Sequence, residues 1–146
     1  MRLALDEAAA AAREGEVPVG AVVTRAGEVL AVARNRMRET NDPTAHAEMV
    51  ALREAAAALG SSRLDGCDLW VTLEPCAMCA GAISLARIAR LYFAASDPKG
   101  GAVIHGPRLF GQPTCHHAPE VYSGMGEAEA GDLLRVFFAE RRAHGD

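Results

Sequence analysis

Two short fragments hold most of the residue types that do chemistry: His46-Ala47-Glu48 and Pro75-Cys76-Ala77-Met78-Cys79. Cys76 and Cys79 are three residues apart, so on a helix they share one face and can grip one ion together. Both fragments fall at expected helix starts, where the positive end of the helix dipole favours the thiolate form that binds metal. A neutral imidazole from His46 completes three protein ligands. Zinc with three protein ligands keeps its fourth position for water, the open arrangement of a catalytic site. Such an ion brings the pKa of its water from ~15.7 to about 7. Glu48 lies two residues from His46 and points the other way on an ideal helix, so it is read as a proton carrier bordering the cavity.

A lone Cys-x-x-Cys also serves as a redox pair or as half of a structural zinc site. Cys67 and Cys115 would be the only cysteines left to complete a four-thiolate cluster, and neither has a paired neighbour. Thioredoxin-like chemistry leaves His46 and Glu48 without a role. Taken jointly, the two fragments favour catalytic zinc. Cys67 and Cys115 read as buried cysteines. His105, His116, His117 and His144 read as surface or hydrogen-bonded histidines, not ligands.

The elements that must position these residues follow from periodicity and punctuation. Leu3 to Arg13 is an alanine-rich helix ended by Gly15, and Val17 to Val23 with Glu28 to Ala33 form a hairpin across Ala26-Gly27. Asn41-Asp42-Pro43-Thr44 supplies capping side chains for a helix from about Thr44 to Leu59. A strand at Asp68 to Leu73 leads into a helix opened by Pro75 and running to Ala86, with a further strand at Ile88 to Ala94. A glycine- and proline-punctuated segment spans Pro98 to Pro113. A strand near Glu120 to Tyr122 and an amphipathic helix from Glu127 to Arg142 complete the pattern. The alternation predicts one α/β layer domain over residues 1–146.

Composition narrows the class. The chain has 146 residues, 50% apolar and 23% charged, which suits a packed domain and not a disordered one. No apolar run reaches the ~18 residues of a membrane helix, and Asp6 and Glu7 interrupt any signal-peptide pattern. A cytoplasmic protein with no membrane partner is expected. The net charge of −4 argues against a nucleic-acid partner. Its distribution is more permissive: between Ser84 and Gly111 the charges are Arg87, Arg90, Asp97, Lys99 and Arg108, and Arg34, Arg36 and Arg38 form a second basic stretch. From charge alone, ordinary solvated faces are the preferred reading of such patches.

The combination His-x-Glu with Pro-Cys-x-x-Cys is the signature of zinc-dependent deaminases. From about Leu5 to Arg142 the chain resembles the bacterial tRNA-specific adenosine deaminases of the cytidine deaminase-like superfamily. The likeness rests on Gly15-Glu16-Val17-Pro18-Val19-Gly20-Ala21-Val22, Asn35, Asp42-Pro43-Thr44-Ala45-His46-Ala47-Glu48, Leu73-Glu74-Pro75-Cys76-Ala77-Met78-Cys79-Ala80-Gly81-Ala82 and Asp97-Pro98-Lys99-Gly100-Gly101-Ala102. The resemblance implies a three-layer α/β/α fold with a central five-stranded mixed sheet. It implies a homodimer with one Zn2+ per subunit, held by His46, Cys76 and Cys79. It implies conversion of adenosine to inosine at the wobble position of a tRNA anticodon loop, with hydroxide attacking C6 and Glu48 shuttling protons. Asn35 would hydrogen-bond the base, Val19 and Leu73 would line its pocket, and Asp97 would lie near the flanking nucleotides. Read without the resemblance, Asn35 is equally a turn residue, Asp97-Pro98 a turn initiator, and Val19 and Leu73 core. The chain departs from the family pattern at His116-His117, where Asn-His is expected.

Two rivals accompany this reading. One is a deaminase of a free base or nucleoside, guanine, cytosine or cytidine, built on the same metal centre. It would close a lid over its pocket, whereas an RNA enzyme would open onto a basic groove. The other is a non-catalytic RNA-binding subunit with structural zinc, which would have no need of Glu48.

Overall fold

The computed structural model describes residues 1–145. Its centre is a five-stranded sheet in the order β2-β1-β3-β4-β5, formed by β1 (Gly20–Arg25), β2 (Glu28–Arg34), β3 (Cys67–Leu73), β4 (Arg90–Ala95) and β5 (Glu120–Ser123). β1 pairs antiparallel with β2 and β3, while β3, β4 and β5 run parallel. The sheet is mixed, as expected.

The first pair turns through Ala26 (φ 51°) and Gly27 (φ 81°). Positive φ at both central residues matches the right-handed twist of the flanking strands. Parallel strands need crossovers, and α4 (Ala77–Ala86) supplies the one between β3 and β4. On one face α1 (Arg2–Arg13) packs against β1, β2 and β3, beside α5 (Glu127–Ala143) on β3 and β4. On the other, α3 (Ala47–Leu59) packs on β1, β2 and α4. That face holds the main core, where Leu69 and Val71 of β3 stand opposite Leu91 and Phe93 of β4, with Ala51, Leu52 and Ile83 above them. Among the described residues, no helix is long and apolar enough to cross a membrane.

Several boundaries move from their expected places for local reasons. β1 starts at Gly20 and not Val17, because Pro18 has no N–H and the Val19 amide bonds back to the Val17 carbonyl at 2.8 Å. α3 begins at Ala47 and not Thr44, because Asp42 Oδ1 accepts from the Thr44 amide at 2.8 Å and its hydroxyl at 2.7 Å, holding the chain in a turn. α4 begins two residues after Pro75. The short helix α2 (Met37–Thr40) was not expected; buried Glu16 accepts from the Arg38 and Glu39 amides at 3.1 and 2.9 Å and so caps it from outside the segment.

Gly20 sets how closely α1 meets the sheet. A Cβ there would lie 1.9 Å from the Ala4 carbonyl oxygen and 2.8 Å from the Ala8 nitrogen. Gly20→Ala must push α1 away from β1. We expect a cost of ~1–3 kcal/mol, seen as a fall in Tm of roughly 3–10 °C by calorimetry. An unchanged melting curve would show that α1 is not seated as described.

Candidate active site

The catalytic-type residues collect where two helices begin. His46 is the N-cap of α3 (φ −69°, ψ 151°) and Cys76 the N-cap of α4 (φ −74°, ψ 176°). Both are extended, so their side chains leave the helix axis at angles that an interior residue cannot adopt. Cys79 sits in the first turn of α4 and Glu48 in the first turn of α3. This resolves the spacing of His46 and Glu48: because His46 is a cap and not helical, the two can border one cavity.

The ligand atoms of His46, Cys76 and Cys79 lie within 4.8 Å of one another. His46 Nδ1 is 3.6 Å from both Sγ atoms. Tetrahedral zinc, with Zn–N about 2.0 Å and Zn–S about 2.3 Å, separates its N and S ligands by about 3.5 Å. The donor set and spacing therefore fit zinc. Proton sharing points the same way. Cys76 is drawn down to about 4, first by its hydrogen bond with Cys79 and then by that with His46. Cys79 is pushed up by the same hydrogen bond and by burial, and His46 is raised by its bond to Cys76. Three groups competing for protons in one spot is what a cation relieves.

Glu48 is only 4% exposed. Burial pushes its carboxyl up to about 7, against the pull of its own backbone N–H and of His46. A carboxyl that changes protonation near neutral pH can both accept and return a proton.

Other expected residues divide. Asn35 is buried and bound to backbone on both sides: Oδ1 accepts from the Ala47 amide at 2.7 Å and Nδ2 donates to the Val17 carbonyl at 3.1 Å. It therefore ties β1 and β2 to the first amide of α3, one residue from His46. A second Nδ2 hydrogen and a second Oδ1 lone pair remain. Asn35→Ala leaves the buried Ala47 amide without its side-chain acceptor and takes from the Val17 carbonyl one of its two donors, the other being the Val19 amide. We expect ~1–3 kcal/mol of destabilisation in thermal melts and a lower kcat/KM, since the Ala47 amide lies between His46 and Glu48; a variant as stable and active as wild type would remove this role. Val19 belongs to the core cluster, and Leu73 packs partly buried against both apolar clusters. Asp97 Oδ1 accepts from the Lys99 and Gly100 amides at 3.1 and 3.0 Å, the turn that its pairing with Pro98 foretold. At the departure from the family pattern, the His117 ring meets the Ile88 carbonyl at 2.8 Å and its amide donates to Ser84.

Three cations of the expected basic stretches are paired with acids, while Arg38 and Arg108 donate to the Gly15 and Ile104 carbonyls. Arg34 pairs with Glu7 and Glu14, Arg36 with Glu39, and Arg90 with Asp68 and Glu120. Lys99 is exposed, and among the described residues no carboxylate pairs with it.

Glu74 stands in the Leu73-Glu74-Pro75-Cys76 run, where local spacing gives it no role. Its side chain is wholly buried. Burial alone would raise its carboxyl, but the amides of Asp97, Ile104 and Val103 together with the His105 ring hold it at about 2. The signal was a charged residue between a buried strand and a proline, since buried carboxylates are rare unless paired.

The model for the cytidine and deoxycytidylate deaminase zinc-binding region matches residues 1–95. A tRNA-specific adenosine deaminase of Agrobacterium fabrum is 61% identical over 142 residues, covering 97% of this chain and 93% of that protein. A solved structure from work on A-to-I editing by tRNA:A34 deaminases superposes with a TM-score of 0.91 at 60% identity, covering 92% of this chain and 97% of that one. The guanine deaminase of Bacillus subtilis is more distant, with a TM-score of 0.66 at 33% identity over 83% of this chain and 80% of that one. With its zinc-type donor set, its buried Glu48 and these relatives, the chain belongs to the cytidine and deoxycytidylate deaminase family, in the branch of the tRNA-specific adenosine deaminases.

Proposed function

We propose that this chain is a zinc-dependent hydrolase that converts adenosine to inosine at the wobble position, 34, of a tRNA anticodon. Residues 1–146 act as a single deaminase domain. The observation that carries the reading is the buried Glu48 carboxyl beside the His46–Cys76–Cys79 cluster, in a chain whose near relatives are tRNA-specific adenosine deaminases.

His46, Cys76 and Cys79 hold one zinc ion per subunit, which supplies Lewis acidity that makes water nucleophilic near neutral pH. Glu48 takes one proton from the attacking water and passes it to the adenine ring nitrogen, then takes the remaining proton of the hydroxyl now on C6 and gives it to the departing amine as the C6 carbonyl forms. Adenosine and water become inosine and ammonia. The base must leave its stack to expose C6, which suits an anticodon loop and not a duplex. Asn35 uses its remaining amide hydrogen on the base, Val19 and Leu73 line the pocket, and Asp97 faces the neighbouring nucleotides.

The protein works in the cytoplasm as a homodimer. Leu85 supports the dimer: it projects from α4 at 75% exposure, beside a groove of about 300 Å³ that Gly81, Ser84 and Leu109 also line. The second reading, a free-base deaminase, draws on the guanine deaminase likeness. Against it, α5 packs along α1, β3 and β4 on the sheet face opposite α3.

Inosine formation in a short hairpin with an A-starting arginine anticodon loop separates the two, with free adenosine, cytidine and guanine assayed alongside. Editing of the hairpin alone supports the proposal. Turnover of a free compound without editing overturns the substrate and keeps the zinc chemistry.

A further inference from the structure

β3 runs directly into Glu74-Pro75-Cys76, so Glu74 stands two residues before a metal-ligating position. Its buried carboxylate accepts five hydrogen bonds, all from one loop. Oε1 accepts from the Asp97 amide at 2.9 Å and meets His105 Nδ1 at 2.8 Å. Oε2 accepts from the amides of Val103, Ile104 and His105 at 3.1, 2.9 and 3.1 Å. The loop closes onto the same place elsewhere: the Ala102 amide donates to the Pro75 carbonyl at 2.9 Å, and the Gly101 amide to the Asp97 carbonyl at 2.8 Å. Gly101 must be glycine here, since a Cβ would lie 2.4 Å from Glu74 Cδ. A carboxylate encircled by amides holds a loop more firmly than neutral contacts do, because each bond is charge-assisted.

What this loop presents is Lys99, the chain's only lysine. Arg34, Arg36 and Arg90 are occupied by carboxylates, whereas Lys99 is exposed and its ammonium forms no ion pair among the described residues. Its backbone is fixed by Asp97, whose own amide is held by Glu74. An exposed cation on an anchored backbone suits a phosphodiester, which binds by charge and sets the register of a strand without reading its bases.

We infer that Glu74 is a positioning residue for RNA: its carboxylate staples the 97–105 loop to the start of the metal-binding turn, so that Lys99 meets a backbone phosphate next to the reacting adenosine. This rests on the wobble-adenosine reading above.

Glu74→Gln tests it at constant size. The amide offers one acceptor oxygen in place of two, so part of the loop faces an N–H instead of an acceptor. With zinc-loaded protein, we expect KM for the hairpin to rise ~10-fold while kcat stays within about 2-fold. Lysyl endopeptidase can cut this chain only after Lys99. Cleavage of the native variant should be ~10-fold faster than of wild type, with zinc content unchanged. His105→Ala removes one bond of the five and should move both readouts the same way by less, which covers a Glu74→Gln chain that fails to fold. Unchanged cleavage in both variants would overturn the staple. Faster cleavage with unchanged KM would overturn the RNA role, and a fall in kcat accompanied by zinc loss would make Glu74 a prop for the metal ligands instead. Failure of wild type to edit any hairpin would sink the wobble reading itself, while the cleavage comparison would still judge the staple.

Discussion

Glu48→Gln is expected to keep zinc content and melting temperature near wild type and to lower kcat on the hairpin by ~10² to 10⁴. Glutamine fills the same buried space in the first turn of α3, so packing around His46 is undisturbed. It cannot carry a proton between water and the departing amine. Glu48→Ala should be equally slow, because the loss is of proton transfer and not of contact. The zinc ligands are untouched in either variant, which separates this outcome from a collapse of the metal site. KM should change little, since Glu48 acts on the reacting atoms and not on the bulk of the RNA. Single-turnover inosine formation, read beside metal analysis of the same preparation, is the measurement. A glutamine variant that kept even a tenth of kcat would mean that another group moves the proton.

Glu48 was legible from local spacing, and its physical setting explains why. The chemistry sits at two helix starts, and helix starts are written in adjacent residues: Asp42-Pro43-Thr44 before His46, and Pro75 before Cys76. The alternating burial of β3 and the Ala26-Gly27 turn were local in the same sense. What local reading displaced were the boundaries. It set the helices at Thr44 and Pro75, whereas His46 and Cys76 are caps outside α3 and α4, and that offset is what lets His46 and Glu48 share a cavity. What it missed were partners far along the chain. Glu16 caps a helix 22 residues away, and Glu74 gathers amides 23 to 31 residues away. Asn35 reads as a turn residue until the Ala47 amide is placed against it. Charge counting left open what the basic stretch does, because the acids that meet Arg34 lie far along the chain, at Glu7 in α1 and Glu14 just after it.

Cys79→Ser carries the second large expectation. Cys79 is wholly buried and faces both His46 and Glu48, and a serine hydroxyl is smaller, harder and not ionised near neutral pH. Zinc content should fall from one per chain to a small fraction, activity should vanish, and the fold should lose what the ion contributes. For an ion present at ~1,000 times its dissociation constant that contribution is ~4 kcal/mol, or roughly 8–16 °C in Tm for a chain of this size. A cavity or packing defect could also lower Tm, so the comparison must isolate the metal. Wild type stripped by a chelator should melt close to Cys79→Ser, and returning zinc should restore wild type alone. Cys115→Ser is the control, because Cys115 contacts Ser84 and the His117 carbonyl and not the ligand cluster; its zinc content and chelator response should match wild type. Unchanged zinc in Cys79→Ser would mean that the ion is held elsewhere. Equal zinc loss in Cys115→Ser would mean that the four cysteines act together, and the open three-ligand site, with the mechanism built on it, would have to be abandoned.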